Sequence, residues 1–425
     1  EVLPTLRSQM TRGDRRTRQN IVWVMARLIA DPKTSQGAFD VLRLALVDRV
    51  AEIRQAACYT LSLAESGASG GTHVDPAWLA RRLRDEDAGV RRQAADSLGK
   101  LGKRTAVRPL IDALRSGVAD RSEQHAIVHS LIELSDVEAI RHAMSEGRVK
   151  PNVRLPLLTA IEQIDAAQIS FDEVLAAVKQ GGEEARAFGT RVFTNSPQWA
   201  DSAALAAGAV DSETAMVLVE AYLAHQSMAE VIGRWLASDQ PHQIQIAMSV
   251  LARSGRMTPH DSWIKPLQQK LNSPDTTTVQ HALASVSSLS GTAFDDSLQR
   301  LAVDPARTPM QQVEAINAMV AQRGRLTDET LQQLIDIYAE SDSPAACELA
   351  VQIIGRSNLN DGQLKKVLPL VEVASVEQLR HLLGLFGRRF DEPAAMRFLD
   401  AIEASPSWES LSEPELDRKS TRLNS

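Results

Sequence analysis

DRVAEIRQAACYTLSLAES (48–66) and DEDAGVRRQAADSLGKLG (85–102) carry one pattern twice. An aliphatic residue is followed at once by Arg, with Ala four positions on and Leu eight positions on: Ile53, Arg54, Ala57, Leu61, then Val90, Arg91, Ala94, Leu98. Offsets of 0, +4 and +8 fall on one face of a 3.6-residue helix, so each match is the buried stripe of a helix. A third copy reads Val153, Arg154, Leu157, Ile161. Looser copies start at Thr17, Glu123 and Ala185, giving intervals of 36, 37, 33, 30 and 32 residues along the series 17, 53, 90, 123, 153, 185.

Each interval leaves room for one further helix. Its apolar face is visible at Leu42/Ala45/Leu46, Leu79/Leu83, Val107/Leu110/Leu114, Ile140/Met144 and Val174/Leu175/Val178. The unit is helix, turn, helix. A two-helix unit cannot bury its own apolar face, and stacked neighbours supply the missing cover. The sequence therefore predicts an all-α protein, a right-handed α-solenoid of HEAT/ARM-type helix pairs with essentially no β-sheet. Ala57 and Ala94 are small because adjacent units must approach closely. Beyond residue 200 the pattern weakens but continues at Ala247/Leu251, Ala282/Val286, Ala315/Met319 and Ala350/Ile354. About eleven helix pairs fit the length. We expect regular repeats over 1–194, divergent ones over 195–416, and a bend or an altered unit within 195–240.

Turn chemistry agrees with this division. Asp48 and Asp85 lie five residues before the aliphatic position, where an Asp can cap the following helix. Ser135/Glu138, Ser170/Glu173, Thr308/Gln311 and Ser375/Gln378 have capping-box spacing. Pro32, Pro109, Pro309 and Pro344 stand near expected helix starts, where a missing N–H costs little. The Gly-rich stretch Ser66–Thr72 (SGASGGT) has neither the Lys nor the preceding strand of a phosphate loop, and reads as a linker.

Composition narrows the function. The 425 residues are 44% hydrophobic and 24% charged but only 4% aromatic, which suits a core of small and aliphatic side chains. The net charge of −7 is uneven: residues 1–120 hold 20 Lys/Arg against 14 Asp/Glu, and the remainder 27 against 40. The basic first third could attract an anionic partner. The acidic remainder argues against nucleic acid wrapped along the whole chain. Two cysteines, Cys58 and Cys347, make neither a CxxC motif nor a disulfide scaffold. No run of 18 apolar residues is present. The sequence opens on Glu1, and its last nine residues, Asp417–Ser425 (DRKSTRLNS), read like adapter-derived sequence and not native chain. We expect a fragment of a longer protein.

The segments 48–66 and 85–102 resemble the bacterial HEAT repeats named for phycobilisome (bilin) lyases. The segments TRQNIVWVMARL (17–28) and DRSEQHAIVHSLIELSDVEAIRHAM (120–144) resemble the HEAT region of large exported planctomycete and verrucomicrobial proteins similar to membrane-bound dehydrogenases. In those proteins a propeller precedes the repeats and a cytochrome c domain with CxxCH follows them. The resemblance implies a connecting or docking role in a periplasmic or otherwise exported redox protein. It assigns no haem or propeller residue here.

The candidate sites are few. His125, His129 and Glu133 stand four apart on one helix face, an acceptable metal-ligand spacing. Nine His in 425 residues meet that spacing easily by chance, so we read them as edging a helix contact or facing solvent. A HEAT-type di-iron hydroxylase would need repeated His-Glu dipeptides, and none occurs. Arg54, Arg91, Arg154 and Arg186 recur at one repeat position. They could grip phosphates or carboxylates; the simpler reading pairs each with a turn Asp such as Asp48 or Asp85. Two basic clusters, Arg12/Arg15/Arg16/Arg18 and Arg81/Arg82/Arg84/Arg91/Arg92, could bind nucleic acid or an acidic protein if they share a surface, but solvated helix faces explain them more simply. Of Trp23, Trp78, Trp199, Trp235, Trp263 and Trp408, any could anchor an interface, while Trp23 falls within a helix stripe and reads as core. GxxxxGK, GxSxG and kinase signatures are absent.

The reading is a non-catalytic HEAT-repeat scaffold with no catalytic, cofactor-binding or metal residue assigned and no cofactor. Its concave surface, made by the second helices, would engage a protein or the flanking domains of the same polypeptide. The alternatives are a nucleic-acid-binding HEAT protein, which the charge balance disfavours, and a bilin-lyase-like HEAT protein.

Overall fold

The computed structural model describes residues 2–64, 74–117, 120–146, 149–323, 325–387 and 392–410. The linker Ser66–Thr72 and the terminal Asp417–Ser425 lie outside the described residues. The chain divides into two compact units, Glu1–Val192 and Phe193–Ser425.

The first unit contains α1 (Val2–Arg12), α2 (Arg15–Leu28), α3 (Ser35–Ala45), α4 (Ala51–Ser62), α5 (Pro76–Ala80), α6 (Ala88–Lys100), α7 (Val107–Ser116), α8 (Arg121–Leu134), α9 (Val137–Ser145), α10 (Pro151–Ile164), α11 (Phe171–Lys179) and α12 (Glu183–Thr194), the last running past its border. The second contains α13 (Ala200–Ala206), α14 (Ser212–Tyr222), α15 (Gln226–Leu236), α16 (Pro241–Arg253), α17 (Asp261–Leu271), α18 (Thr276–Ser287), α19 (Asp295–Val303), α20 (Pro309–Arg323), α21 (Asp328–Glu340), α22 (Pro344–Arg356), α23 (Asp361–Val373), α24 (Val376–Leu382) and α25 (Glu392–Ala404). Among the described residues there is no strand, only an isolated bridge between Met257 and Leu289.

Packing follows one rule in both units. Each even helix lies on the next even one: α2 on α4, α4 on α6, α6 on α8 and α8 on α10, then α14 through α24 in the same succession. Odd helices form a second row, as in α1 on α3, α7 on α9, and α13 through α19. Hairpin contacts, such as α3 with α4 and α19 with α20, join the rows. Within 195–240, where the repeat is faintest, the odd helix is shortened: α13 has seven residues between 3-10 turns at Pro197–Trp199 and Ala207–Ala209.

The repeat read from the sequence is the buried register. Ile53, Ala57 and Leu61 are the third, seventh and eleventh residues of α4, and Val90, Ala94 and Leu98 occupy the same places in α6; all six are buried. In the second unit Ala247/Leu251, Ala282/Val286, Ala315/Met319 and Ala350/Ile354 take the seventh and eleventh places of α16, α18, α20 and α22 and are also buried.

Close approach has two further marks. Ser97, Ser130 and Ser285, each the tenth residue of its even helix, donate to the carbonyl of the eighth residue of the preceding even helix, Cys58, Ala95 and Met248, at 2.9, 2.8 and 2.9 Å. Gly99 and Gly355 are each the twelfth residue. A β-carbon at Gly99 would lie 2.8 Å from Cα of Ser130, and one at Gly355 would lie 2.7 Å from the carbonyl carbon of His381. Only glycine fits there.

In the first unit an arginine clamp crosses three of these interfaces. Arg18, Arg54 and Arg91 are the fourth residues of α2, α4 and α6. Arg18 forks onto Asp48 at 2.7 and 3.1 Å. Arg54 forks onto Asp85 at 2.9 and 2.6 Å. Arg91 grips Glu123 at 3.0 and 2.9 Å. Each Nη1 also donates backwards to a carbonyl of its own turn: Gly13 at 2.8 Å, Asp48 at 2.9 Å and Asp85 at 2.9 Å. One guanidinium thus ties its own turn to the next module.

These acids make the arginine pairs read from the sequence, but they do not cap the following helices. The N-caps of α4 and α6 are Val50 and Asp87. Asp48 and Asp85 sit two residues earlier, accept from the amides of Val50 and Asp87, and present both oxygens to arginine. Ser135 does not form a capping box either. It takes a left-handed conformation, φ 50°, to end α8, which shifts the cap of α9 to Asp136. The boxes at Ser170/Glu173, Thr308/Gln311 and Ser375/Gln378 do form. Pro309 and Pro344 open α20 and α22.

Two outcomes test this packing. Ala94→Leu should overpack the α4–α6–α8 interfaces and cost about 1–3 kcal/mol, and Leu98→Ala should cost about 2–5 kcal/mol, both read from urea midpoints. Asp85→Asn should cost about 2–4 kcal/mol, because it removes the buried counter-charge of Arg54 and leaves only the exposed Glu86, 3.2 Å away. An Arg15→Gln control at the exposed Arg15–Glu52 pair should stay within about 1 kcal/mol. The Asp85 effect has a definite pH sign. Burial pushes its carboxyl up, but hydrogen bonds from Arg54 and the Asp87 amide outweigh it and hold the pKa below the ordinary 3.8. Its stabilisation is complete above that value and is lost as pH falls through the depressed one. The melting-temperature gap between wild type and Asp85→Asn should close below about pH 3.8.

Candidate functional site

In the first unit the fifth, ninth and thirteenth positions of the even helices face away from the buried stripe. In the first unit the ninth positions of α2, α4, α6 and α8 are Trp23, Tyr59, Asp96 and His129. Trp23 is 46% exposed and Tyr59 37%. This corrects the expectation that Trp23 is core: it stands two residues from both Ile21 and Met25, on the opposite side of α2 from their stripe. Trp23 and Tyr59 meet edge to face, with centroids 6.1 Å apart. Lys100, the thirteenth residue of α6, places its ammonium 5.9 Å from the Tyr59 ring centre and 2.8 Å from Asp96. Exposed Leu63 flanks the row at the end of α4. The result is a solvent-facing strip of two aromatic rings, an aliphatic side chain and a charged pair. Tyr59 and Lys100 were not legible as partners of Trp23, because the sequence has to be aligned on helix starts before the three share a column.

The histidines fall on the same face. His125 and His129 are exposed, and His129 Nδ1 lies 3.7 Å from Glu133. Among the described residues no group of three or more His, Cys, Asp or Glu is placed to hold a metal ion.

The recurrent arginines are largely engaged in structure. Arg54 and Arg91 are clamp residues, and their acid partners raise both pKa values. Arg186 is also engaged. Arg154 differs: its Nε is buried without a hydrogen-bond partner. The two basic clusters are likewise divided among separate tasks. Arg18 and Arg91 are clamps, Arg15 pairs with Glu52, and Arg82 donates to the Leu46 carbonyl at 2.9 Å. Arg12, Arg16, Arg84 and Arg92 face solvent. Arg81 borders a cavity of about 370 Å³ with Arg7, Arg43, Asp40 and Trp78, in which the Arg43 guanidinium lies 5.1 Å from the Trp78 ring centre.

Neither thiol has nucleophile character. Burial pushes Cys58 up to about 12 and also raises Cys347. The remaining tryptophans are packing residues or partly covered: Trp263 and Trp235 are buried, and the Trp263 indole donates to the Ala229 carbonyl at 2.7 Å. No described helix is long and apolar enough to cross a membrane.

No protein-family model matches this sequence, and no curated protein matches it. Solved structures do match its fold. The karyopherin Kap121p bound to the extreme C-terminus of the protein phosphatase Cdc14p aligns over 99% of this chain and 53% of its own, at 12% identity and a TM-score of 0.60. Kap121p bound to Nup53p and Kap121p bound to Ste12p align over the same shares at 12% identity, with TM-scores of 0.58 and 0.57. The chain spans about half the length of these structures. At this identity the likeness is one of fold alone: the chain has the all-α solenoid fold of HEAT/ARM-type helix repeats found in the karyopherins.

Proposed function

We propose that the chain is a non-catalytic repeat scaffold that holds a protein segment, with the Trp23–Tyr59–Lys100 strip of the first unit as the contact. The observation that carries this reading is the pair of exposed rings packed on each other in a chain that is only 4% aromatic. Aromatic side chains bring large contact area at little entropic cost and dominate the energetics of protein interfaces. Lys100 and Asp96 beside them supply polar selectivity at the rim. In Kap121p the same architecture holds protein partners, Cdc14p, Ste12p and Nup53p among them. The absence of catalytic residues is part of the proposal.

A second reading concerns the setting. The likeness of residues 17–28 and 120–144 to the repeat region of exported dehydrogenase-like proteins supports a scaffold that docks flanking redox domains of the same polypeptide outside the cytoplasm. Recovery of the whole reading frame decides it. An upstream propeller and a downstream CxxCH would support the reading, and a frame without either would remove it.

The contact itself is tested by selecting displayed random peptides on the purified chain and titrating the best binder. The double variant Trp23→Ala/Tyr59→Ala should lose about tenfold or more in affinity, as expected for interface anchors. Its melting temperature should stay near wild type, because both rings are solvent-facing. Full affinity in the double variant would refute the assignment.

A further inference from the structure

We propose that the junction of α9, α10 and α11 is a binding site for a carboxylate-bearing ligand that completes the arginine clamp from outside. The clamp fixes what belongs there. Arg154 is the fourth residue of α10, the place held by Arg18, Arg54 and Arg91 in α2, α4 and α6. Asp48 and Asp85 each stand three residues before the next even helix. The third clamp takes its acid from Glu123, the third residue of α8. Three residues before α12 stands Gln180, and the third residue of α12 is Ala185; neither carries a charge. The fourth clamp therefore has its guanidinium and lacks its acid.

The surroundings keep that place cationic and open. Arg154 and Gln180 line a cavity of about 920 Å³ together with Arg141, Lys150 and Glu173. Arg141 is engaged by Glu173 and by the Gln168 carbonyl. Burial pushes the Glu173 carboxyl up, but Ser170 and Arg141 outweigh it and hold its pKa below the usual value, so this acid stays ionised and paired. That leaves Lys150 and Arg154 as two uncompensated cations. Arg154 Nε is enclosed without an acceptor. Lys150 is the N-cap of α10 and gives it no side-chain cap, so the positive end of a fourteen-residue helix also opens beside the cavity. Met144, Val149 and Pro151 contribute an apolar wall.

A planar carboxylate is the occupant the geometry favours, because the three completed clamps use a forked guanidinium on two carboxylate oxygens. The cavity is far larger than one carboxylate, and its apolar wall fits a ligand with a short aliphatic stem. A glutamate side chain of an acidic peptide and a free dicarboxylate share that chemistry.

The test is calorimetric titration of the full chain with glutarate and with a blocked Leu-Glu-Leu peptide, each against wild type, Arg154→Gln and Gln180→Glu. Glutarate should bind wild type saturably, and either substitution should weaken it by about tenfold or more. Gln180→Glu should also raise the melting temperature, because it supplies the missing acid internally at an exposed position. A variant that merely misfolded would lower it. The peptide binding more tightly than glutarate identifies a protein source for the carboxylate, and equal affinities identify a small molecule. Non-saturable glutarate heats in wild type, or unchanged affinity in a stably folded Gln180→Glu chain, would overturn the proposal.

Discussion

The structure depends on how closely one even helix can lie on the next. At that contact the seventh residue is alanine in six of the even helices, the tenth is serine in three, and the twelfth is glycine in two. Each residue removes an obstacle, and the serines convert the proximity into a hydrogen bond to a backbone carbonyl. Buried hydroxyls are costly unless paired. Thr60 takes the serine position in α4, and its hydroxyl is buried without a partner, so the bond depends on the preceding helix offering a carbonyl within reach. The modules need each other because the surfaces that make this contact are the surfaces that would otherwise meet water.

Electrostatics is layered on that packing and does not replace it. The side chains of the Arg54–Asp85 pair are 6% and 4% exposed, a placement that is expensive for both ions unless every donor and acceptor is used. The geometry meets that demand: the acid also takes a turn amide and the arginine also takes a turn carbonyl. The second unit repeats the helix packing without arginine at that place. Its even helices carry Ala215, Ile244, Val279, Gln312, Cys347 and Leu379 there. Stacking therefore stands on its own, and the clamp adds direction and register.

Most of the architecture could be read from residue spacing. The positions chosen as the buried stripe are the third, seventh and eleventh residues of their helices, because a stripe that must stay dry on two sides leaves a strong periodic trace. The capping boxes at Ser170 and Ser375 were legible because both halves lie three residues apart. The failures have a common cause. Asp48 and Asp85 do pair with recurrent arginines as expected, but the local capping role read for them belongs to residues two positions on, because each acid spends its oxygens on the arginine and a turn amide. Trp23 falls within the span of its helix stripe, yet it stands two residues from both Ile21 and Met25, a phase that points it outward. The aromatic strip and the vacant clamp are relations between modules, visible only after the helices are set side by side.

The clamp has a direction. Each arginine reaches forward to an acid of the following module while holding the turn behind it, so the coupling is head to tail. Such a joint asks nothing of any module except an acid on one side and a guanidinium on the other. Loss of the α3–α4 module, for example, would set Arg18 against Asp85, the same chemistry as before. Array length can drift through recombination, much as a zip is lengthened by adding teeth, and a lone mismatched tooth is where something foreign can catch.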